Sequence, residues 1–89
     1  MKLITLTSPA CDLPALSALC NSEDAILLCQ DAVYLVKQAE INWPVKLLYV
    51  LESDLLVRQL SAPAPWLVID ASRWVELTIA AGQTILWQP

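Results

Sequence analysis

The side chains with the widest scope for chemistry in this sequence are its three cysteines, Cys11, Cys20 and Cys29. A cysteine thiolate is a nucleophile that can exchange with disulfides or bind a soft metal. Histidine is absent and glycine occurs once, which disfavours Ser-His-Asp and Cys-His catalysis, most zinc sites and glycine-rich phosphate loops. The cysteines also lack Cys-x-x-Cys spacing, so we expect neither a metal nor a cofactor.

A regular alternation of apolar strands and amphipathic helices must position these thiols. We predict strands over residues 2–7, 25–29, 45–51, 66–69 and 84–87. We predict helices that begin near Asp12, Asp31, Ser53 or Asp54, and Asp70 or Ser72. Asp31 is interpreted as a helix cap. Uninterrupted apolar strands that alternate with helices are typical of a parallel sheet covered on both faces. The prediction is a three-layer αβα fold of the α/β class, with four or five mostly parallel strands in a single domain, 1–89.

Each thiol has a chemical and a structural interpretation. Cys20 falls on the first predicted helix in the stripe of Leu13 and Leu16, where a core role is the alternative. Cys11 lies between the carboxyl end of a strand, where open α/β sheets place ligands, and a helix N-terminus, which favours a thiolate. The neighbouring Asp12 opposes that effect. Cys29 ends an apolar strand and is interpreted as core.

The composition indicates more apolar side chain than the chain can bury alone. Of 89 residues, 57% are hydrophobic and 16% are charged, whereas a domain of this size buries only about two thirds of its unfolded surface. No apolar run is long enough to cross a membrane, so the excess predicts subunit interfaces. Tryptophan is enriched in such interfaces, and we expect Trp87, Trp74 and Trp43 to lie there. For Trp87 the alternative is a terminal strand packed on its own sheet.

Charge and the first residues restrict the partners and the compartment. The formal net charge is −4, which argues against direct nucleic-acid binding. The start of the sequence does not read as a signal peptide, so we expect a cytoplasmic protein with reduced thiols. Arg58 and Arg73 are candidates to meet a partner's acidic groups, although solvated surface is the default interpretation.

Several stretches, taken in order, resemble one protein family. Ser8-Pro9 follows the first strand, and the strand 26–29 leads into Gln30-Asp31-Ala32-Val33. Further matching stretches are 46–51, 54–58, 69–70 and 74–78, followed by Trp87. This succession resembles the DsrH/TusB family over nearly the whole chain. The family typically has glycine where this chain has Ala32, which suggests that the position does not need a positive φ angle here.

The resemblance implies a DsrEFH-like fold with flavodoxin-like topology and a role as an accessory subunit rather than an enzyme. The implied partners are TusC-like and TusD-like (DsrF- and DsrE-like) sister subunits in a cytoplasmic heterohexamer. In the Tus branch such a complex moves persulfide sulfur towards 2-thiolation of the wobble uridine of certain tRNAs. In the Dsr branch it serves the oxidation of stored sulfur.

The resemblance also ranks the thiols. The main sulfur-carrying cysteine of the family belongs to a sister subunit, but some DsrH-type members have one in the first helix. Cys20 is therefore the candidate catalytic, sulfur-carrying residue, and Cys11 is the alternative. Two other hypotheses stay open: a DsrH-type subunit in sulfur oxidation, and a stand-alone homo-oligomeric α/β protein, such as a homodimer.

Overall fold

The computed structural model describes residues 1–10, 12–38 and 40–87 and shows five strands joined by helices. The strands are β1 (Lys2–Leu6), β2 (Ala25–Leu28), β3 (Leu47–Leu51), β4 (Leu67–Ile69) and β5 (Gln83–Trp87). The helices are α1 (Leu13–Leu19), a 3₁₀ helix (Gln30–Lys37), α2 (Glu52–Val57) and α3 (Ala71–Ala80). No helix in the described ranges is long and apolar enough to cross a membrane.

All described strand pairs are parallel, and the strand order is β4-β3-β2-β1-β5. The chain advances in one direction from β1 to β4 and then crosses to the far side of β1. Because parallel crossovers are right-handed, this reversal places α3 on one face and the other helices on the opposite face. The predicted three-layer α/β fold is confirmed. The strand order itself differs from the 2-1-3-4-5 of flavodoxin, because the reversal follows β4 rather than β2.

The apolar core is divided between the two faces of the sheet. On the three-helix face, Ile26 and Leu28 of β2 pack with Leu16 of α1, Val33 of the 3₁₀ helix and Leu55 of α2. On the α3 face, the core is built from these buried residues: Leu3, Ala25, Leu27, Cys29, Tyr49, Leu51, Ile69, Leu77 and Ala81. All four residues of the central strand β2 are fully buried, which explains its uninterrupted apolar sequence.

Two of the predicted helix caps are confirmed. The Asp12 side chain accepts a hydrogen bond from the backbone N–H of Ala15 at 3.3 Å, at the start of α1. Asp70 accepts from the backbone N–H of Arg73 at 2.8 Å, at the start of α3. Both are interactions between residues three apart, so the local sequence was sufficient to predict them.

The predicted cap at Asp31 is wrong. The 3₁₀ helix begins one residue earlier, with Cys29 at its N-cap position and no side-chain capping bond. Gln30 adopts a left-handed backbone with φ of 53°, and its N–H donates to Asp54 at 2.7 Å. Asp31 instead accepts hydrogen bonds from Arg58. A carboxylate from a different element therefore satisfies the first N–H of this helix.

α2 ends in a Schellman motif. The N–H of Leu60 donates to the carbonyl of Leu55 at 2.9 Å, and the N–H of Gln59 donates to Leu56 at 3.1 Å. Gln59 has the left-handed φ of 54° that this motif requires. Leu60 packs against the core cluster that contains Leu55, which is the hydrophobic contact that accompanies such a cap.

Candidate functional site

The carboxyl ends of the parallel strands lie at one edge of the sheet, where open α/β sheets bind ligands. Gln30 and Asp31 follow β2 there, and Asp54 lies in the first turn of α2 after β3. The Arg58 guanidinium donates to Asp31 at 2.8 Å and lies 3.6 Å from the Asp54 carboxylate. With the 2.7 Å bond between the Gln30 N–H and Asp54, these contacts form a charge network that joins the 3₁₀ helix to α2.

The Arg58 guanidinium keeps its positive charge in this network. The hydrogen bond to Asp31 raises the pKa of Arg58 above its ordinary value, so the guanidinium stays protonated. Its central carbon lies 6.0 Å from the centre of the Tyr34 ring, a cation–π distance. A permanently charged arginine between two carboxylates orients groups and holds helices together, but it does not transfer protons at neutral pH. The network is suited to positioning.

Cys29 follows β2 at the same edge but is chemically inaccessible. Its side chain is 3% exposed. Burial, together with the nearby negative charge of Asp54, raises the pKa of the thiol to about 11. At neutral pH this sulfur is a protonated core atom, which confirms the interpretation of Cys29 as core.

Cys20 is half-buried and occupies the C-cap position of α1, one residue beyond the helix proper. Its N–H donates to the carbonyl of Leu16 at 3.1 Å. Because α1 runs back across the sheet after β1, its end lies beside the amino ends of the strands. We call this side of the sheet the amino edge, and it lies opposite the charge network. The sulfur-carrying role of Cys20 stays a prediction. The alternative candidate, Cys11, lies outside the described residues.

Next to Cys20, a buried carboxylate ties the amino edge together. Asp24 is 2% exposed and accepts from the backbone N–H of Lys2 at 2.9 Å and of Asn21 at 2.8 Å. Its carboxylate also lies 2.8 Å from the Lys2 ammonium. Burial by itself raises the pKa of Asp24, but the hydrogen bonds from Asn21 and Lys2 outweigh it and lower the pKa to about 2. The loop that follows Cys20 is thereby fixed to the start of β1.

The tryptophans predicted to form interfaces lie at three different places. Trp43 contacts Trp66 edge to face, with ring centres 5.2 Å apart and planes at 85°. Trp74 lines a hollow of about 250 Å³ between α3 and β5. Trp87, in β5, is half-buried against the three-helix face, and its indole N–H is buried without an acceptor in the described structure. Their place in interfaces stays a prediction.

Sequence reasoning missed the charge network and the role of Asp24. Asp54 and Arg58 are four residues apart, a spacing that predicts a helical ion pair, so half of the network was detectable. The other half joins Asp31 to Arg58 across 27 positions, and no local pattern indicates it. No group of His, Cys, Asp and Glu side chains that could hold a metal ion is found among the residues described.

The fold and the site define a class: a small α/β protein with a parallel sheet, a charge network at its carboxyl edge and a buried, inert thiol beside it. A family model described as "DsrH like protein" matches residues 7–84. Protein TusB of Yersinia pestis (strain Pestoides F) is 39% identical over 87 residues, which cover 86% of this chain and 88% of the relative. Protein TusB of Yersinia pseudotuberculosis serotype O:1b (strain IP 31758) has the same identity and coverage. The chain belongs to the DsrH-like family.

This membership confirms the resemblance predicted from the sequence. It supports the broader part of the predicted function, an accessory subunit of a sulfur relay that works with partner subunits. The Gln30-Asp31-Ala32-Val33 stretch is the start of the 3₁₀ helix, and Ala32 is fully buried within it. The positive φ angle in this stretch falls on Gln30, so alanine at position 32 is accommodated without backbone strain.

Proposed function

We propose that this chain is a structural subunit of a TusBCD-like complex that supports persulfide transfer for 2-thiolation of the tRNA wobble uridine. It acts in the cytoplasm as one domain, in a heterohexamer with TusC-like and TusD-like sister subunits. Family membership and the name TusB carried by its relatives support this branch over sulfur oxidation. Its low content of basic residues, with a net charge of −4, supports binding of the tRNA by other subunits.

The observation that carries the proposal is the apolar surface at the β4 edge of the sheet. Leu67 and Val68 point to opposite faces of this edge strand and are 51% and 46% exposed. On the preceding helix, α2, Leu56 and Val57 are 68% and 78% exposed. We refer to these four residues as the β4 edge surface. An uncovered edge strand with apolar residues on both faces is prone to association, so a partner chain covers it in the working protein.

The cysteine thiols of this chain fit a supporting role in the complex better than independent catalysis. Sulfur passes along such a relay when a thiolate attacks the outer sulfur of a donor persulfide. The S–S bond of the donor breaks, the donor leaves as a thiolate, and the acceptor becomes the new persulfide. Cys29 is too buried to act as that acceptor. Cys20 is the residue we assign to any transfer through this chain.

Co-expression with the two sister subunits tests the proposal. We expect Leu67→Glu, combined with Val57→Glu, to abolish co-purification and to lower 2-thiouridine in tRNA, because it places carboxylates in an apolar contact. Gln83→Glu, at an exposed position of the opposite edge strand, is the matched control. Normal assembly of the double variant would contradict the role of the β4 edge surface.

The same material separates the alternatives. A chain that purifies as a soluble homodimer and does not bind the sister subunits would favour a stand-alone protein. Persulfide at Cys20 in the assembled complex, with unchanged tRNA thiolation when the chain is deleted, would favour the sulfur-oxidation branch. Mass spectrometry of the intact subunit and nucleoside analysis of the tRNA read out the two results.

A further inference from the structure

A groove runs along the amino ends of β3 and β4 on the three-helix face. One hollow of about 440 Å³ is walled by Trp43 and Trp66. A second hollow of about 530 Å³ lies beside Lys37. Both hollows are lined by Val36 and Pro63, so they adjoin. We call the two together the lysine groove, and its lining residues are not those of the β4 edge surface.

The lysine groove concentrates uncompensated positive charge on an acidic chain. Lys46 lines the first hollow and Lys37 lines the second, and no described Asp or Glu lines either one. Within the described ranges, these two lysines form no ion pair. The other cations each pair with a carboxylate: Lys2, Arg58 and Arg73. Glu40, in the same loop, is exposed but is not part of the lining.

The apolar part of the groove is built from two packed indoles and two prolines. Trp66 is 8% exposed and packs in the core, and its ring holds Trp43 edge to face at 5.2 Å. Pro63 and Pro65 form the neighbouring wall. Rigid indole and proline surfaces bind extended apolar segments with little loss of conformational entropy, and tryptophan is the side chain most enriched in binding hot spots.

We propose that the lysine groove binds an extended acidic segment of a partner protein. An apolar or aromatic side chain of that segment lies against Trp43, and carboxylates on its two sides pair with Lys37 and Lys46. Charge complementarity selects this occupant, because the groove is basic and apolar whereas the rest of the chain is acidic. The inference stands apart from the sulfur relay and does not need the sister subunits or tRNA.

The test uses the full chain labelled with 5-fluorotryptophan, whose four indoles report separately by fluorine NMR. The probe is the peptide acetyl-Glu-Asp-Leu-Phe-Asp-Glu-amide. We expect it to shift the Trp43 and Trp66 signals and to leave Trp74 and Trp87 in place. The variant Lys37→Glu with Lys46→Glu should weaken binding by about tenfold or more, since two exposed ion pairs are replaced by repulsion.

Controls keep the result decisive. Both lysines are exposed, so the double variant should fold, and unchanged Trp74 and Trp87 signals will show it. A peptide with Lys in place of the acidic residues should not bind. Equal binding of that peptide, equal shifts at all four indoles, or no loss in the lysine variant would overturn the proposal. None of these outcomes bears on tRNA thiolation, so the two proposals fail separately.

Discussion

Replacing the buried carboxylate of Asp24 should reveal what holds the amino edge of the sheet together. Asp24 accepts two backbone N–H groups, those of Lys2 and Asn21, and it also pairs with the Lys2 ammonium. Asp24→Asn keeps one side-chain oxygen in almost the same volume, so it can satisfy only one of the two backbone donors. The other donor then faces the amide NH₂ group without an acceptor.

The geometry predicts which of these contacts contributes more to the free energy of unfolding. A buried donor left without an acceptor costs about 1–3 kcal/mol. The ion pair is mostly buried, since the Lys2 and Asp24 side chains are 20% and 3% exposed, and desolvation of the two charges offsets most of their attraction, so we expect its loss to cost about 1 kcal/mol when both backbone bonds remain. We therefore expect Asp24→Asn to lower the free energy of unfolding by about 2–3 kcal/mol. Lys2→Gln, which keeps both backbone bonds, should cost about 1 kcal/mol or less, because desolvation already offsets most of the attraction in the ion pair.

Urea unfolding followed by tryptophan fluorescence measures both variants on the full chain. For a small domain with a slope of about 1 kcal/mol per molar urea, Asp24→Asn should lower the midpoint by about 2–3 M, and Lys2→Gln by less than about 1 M. Equal shifts for the two variants would refute the reasoning, because the ion pair would then outweigh the backbone bonds. So would a shift below about 0.5 M for Asp24→Asn.

Three further results are expected. Because the pKa of Asp24 is lowered from 3.8 to about 2 in the folded chain, its contribution to stability is complete above about pH 4 and is lost as the pH falls through about 2. The stability advantage of wild type over Asp24→Asn should therefore be constant above about pH 4 and should shrink between about pH 4 and 2 in an acid titration of the two proteins. Gln59→Gly should raise the free energy of unfolding by about 0.5–1 kcal/mol, since glycine adopts the left-handed φ of 54° without strain. Gln59→Ala, which keeps a Cβ atom, should have almost no effect in the same urea experiment. Iodoacetamide at pH 8 should label Cys29 about a hundredfold more slowly in the native chain than in urea. The reason is that a thiol pKa of about 11 leaves about a hundredth of the usual fraction of thiolate. Rapid labelling of native Cys29 in peptide mass spectra would contradict the buried, protonated thiol.

The sequence was a good guide to those parts of the fold that depend on near neighbours. Alternating apolar strands and helices predicted the parallel sheet, and Asp12 and Asp70 cap helices that begin beside them. The position of β5 beside β1 was not predictable in this way, because either edge of the sheet can accept a last strand. Asp31 was misassigned for a related reason: its partner, Arg58, is 27 positions away, and packing rather than local sequence brings the two together.

The candidate site was only partly predictable. The sequence located the thiols on their elements, but the structure showed that Cys29 is sealed in the α3-side core and that Cys20 is at the end of α1. The lysine groove could not be foreseen, because Lys37 ends the 3₁₀ helix whereas Lys46 lies in the loop before β3, and neither lysine is unusual by itself. Their significance depends on which other cations are paired, and only the structure shows that.

The distribution of charge argues that the two edges of the sheet have different roles. At the carboxyl edge, Arg58 is held between Asp31 and Asp54, so the guanidinium offsets part of their negative charge and holds the 3₁₀ helix to α2. At the amino edge of β3 and β4, Lys37 and Lys46 form no ion pair with a described carboxylate and lie in the groove that the half-buried Trp43 also lines. The paired Arg58 stabilises the folded chain. The unpaired lysines cost little free energy while they are solvated, and they stabilise a complex only when a partner of opposite charge binds.

The same reasoning separates folding from assembly at the β4 edge. Leu67 is 51% exposed in the isolated chain, so about half of this residue is buried, and replacing it with glutamate should lower the free energy of unfolding by about 1 kcal/mol. In an assembly that covers this strand, the same carboxylate would be desolvated without a partner, at a cost of several kcal/mol. A variant that stays folded, with a loss of only about 1 kcal/mol, and no longer binds the sister subunits would show that these apolar residues act in association. A variant that neither folds nor binds would show that they act in folding.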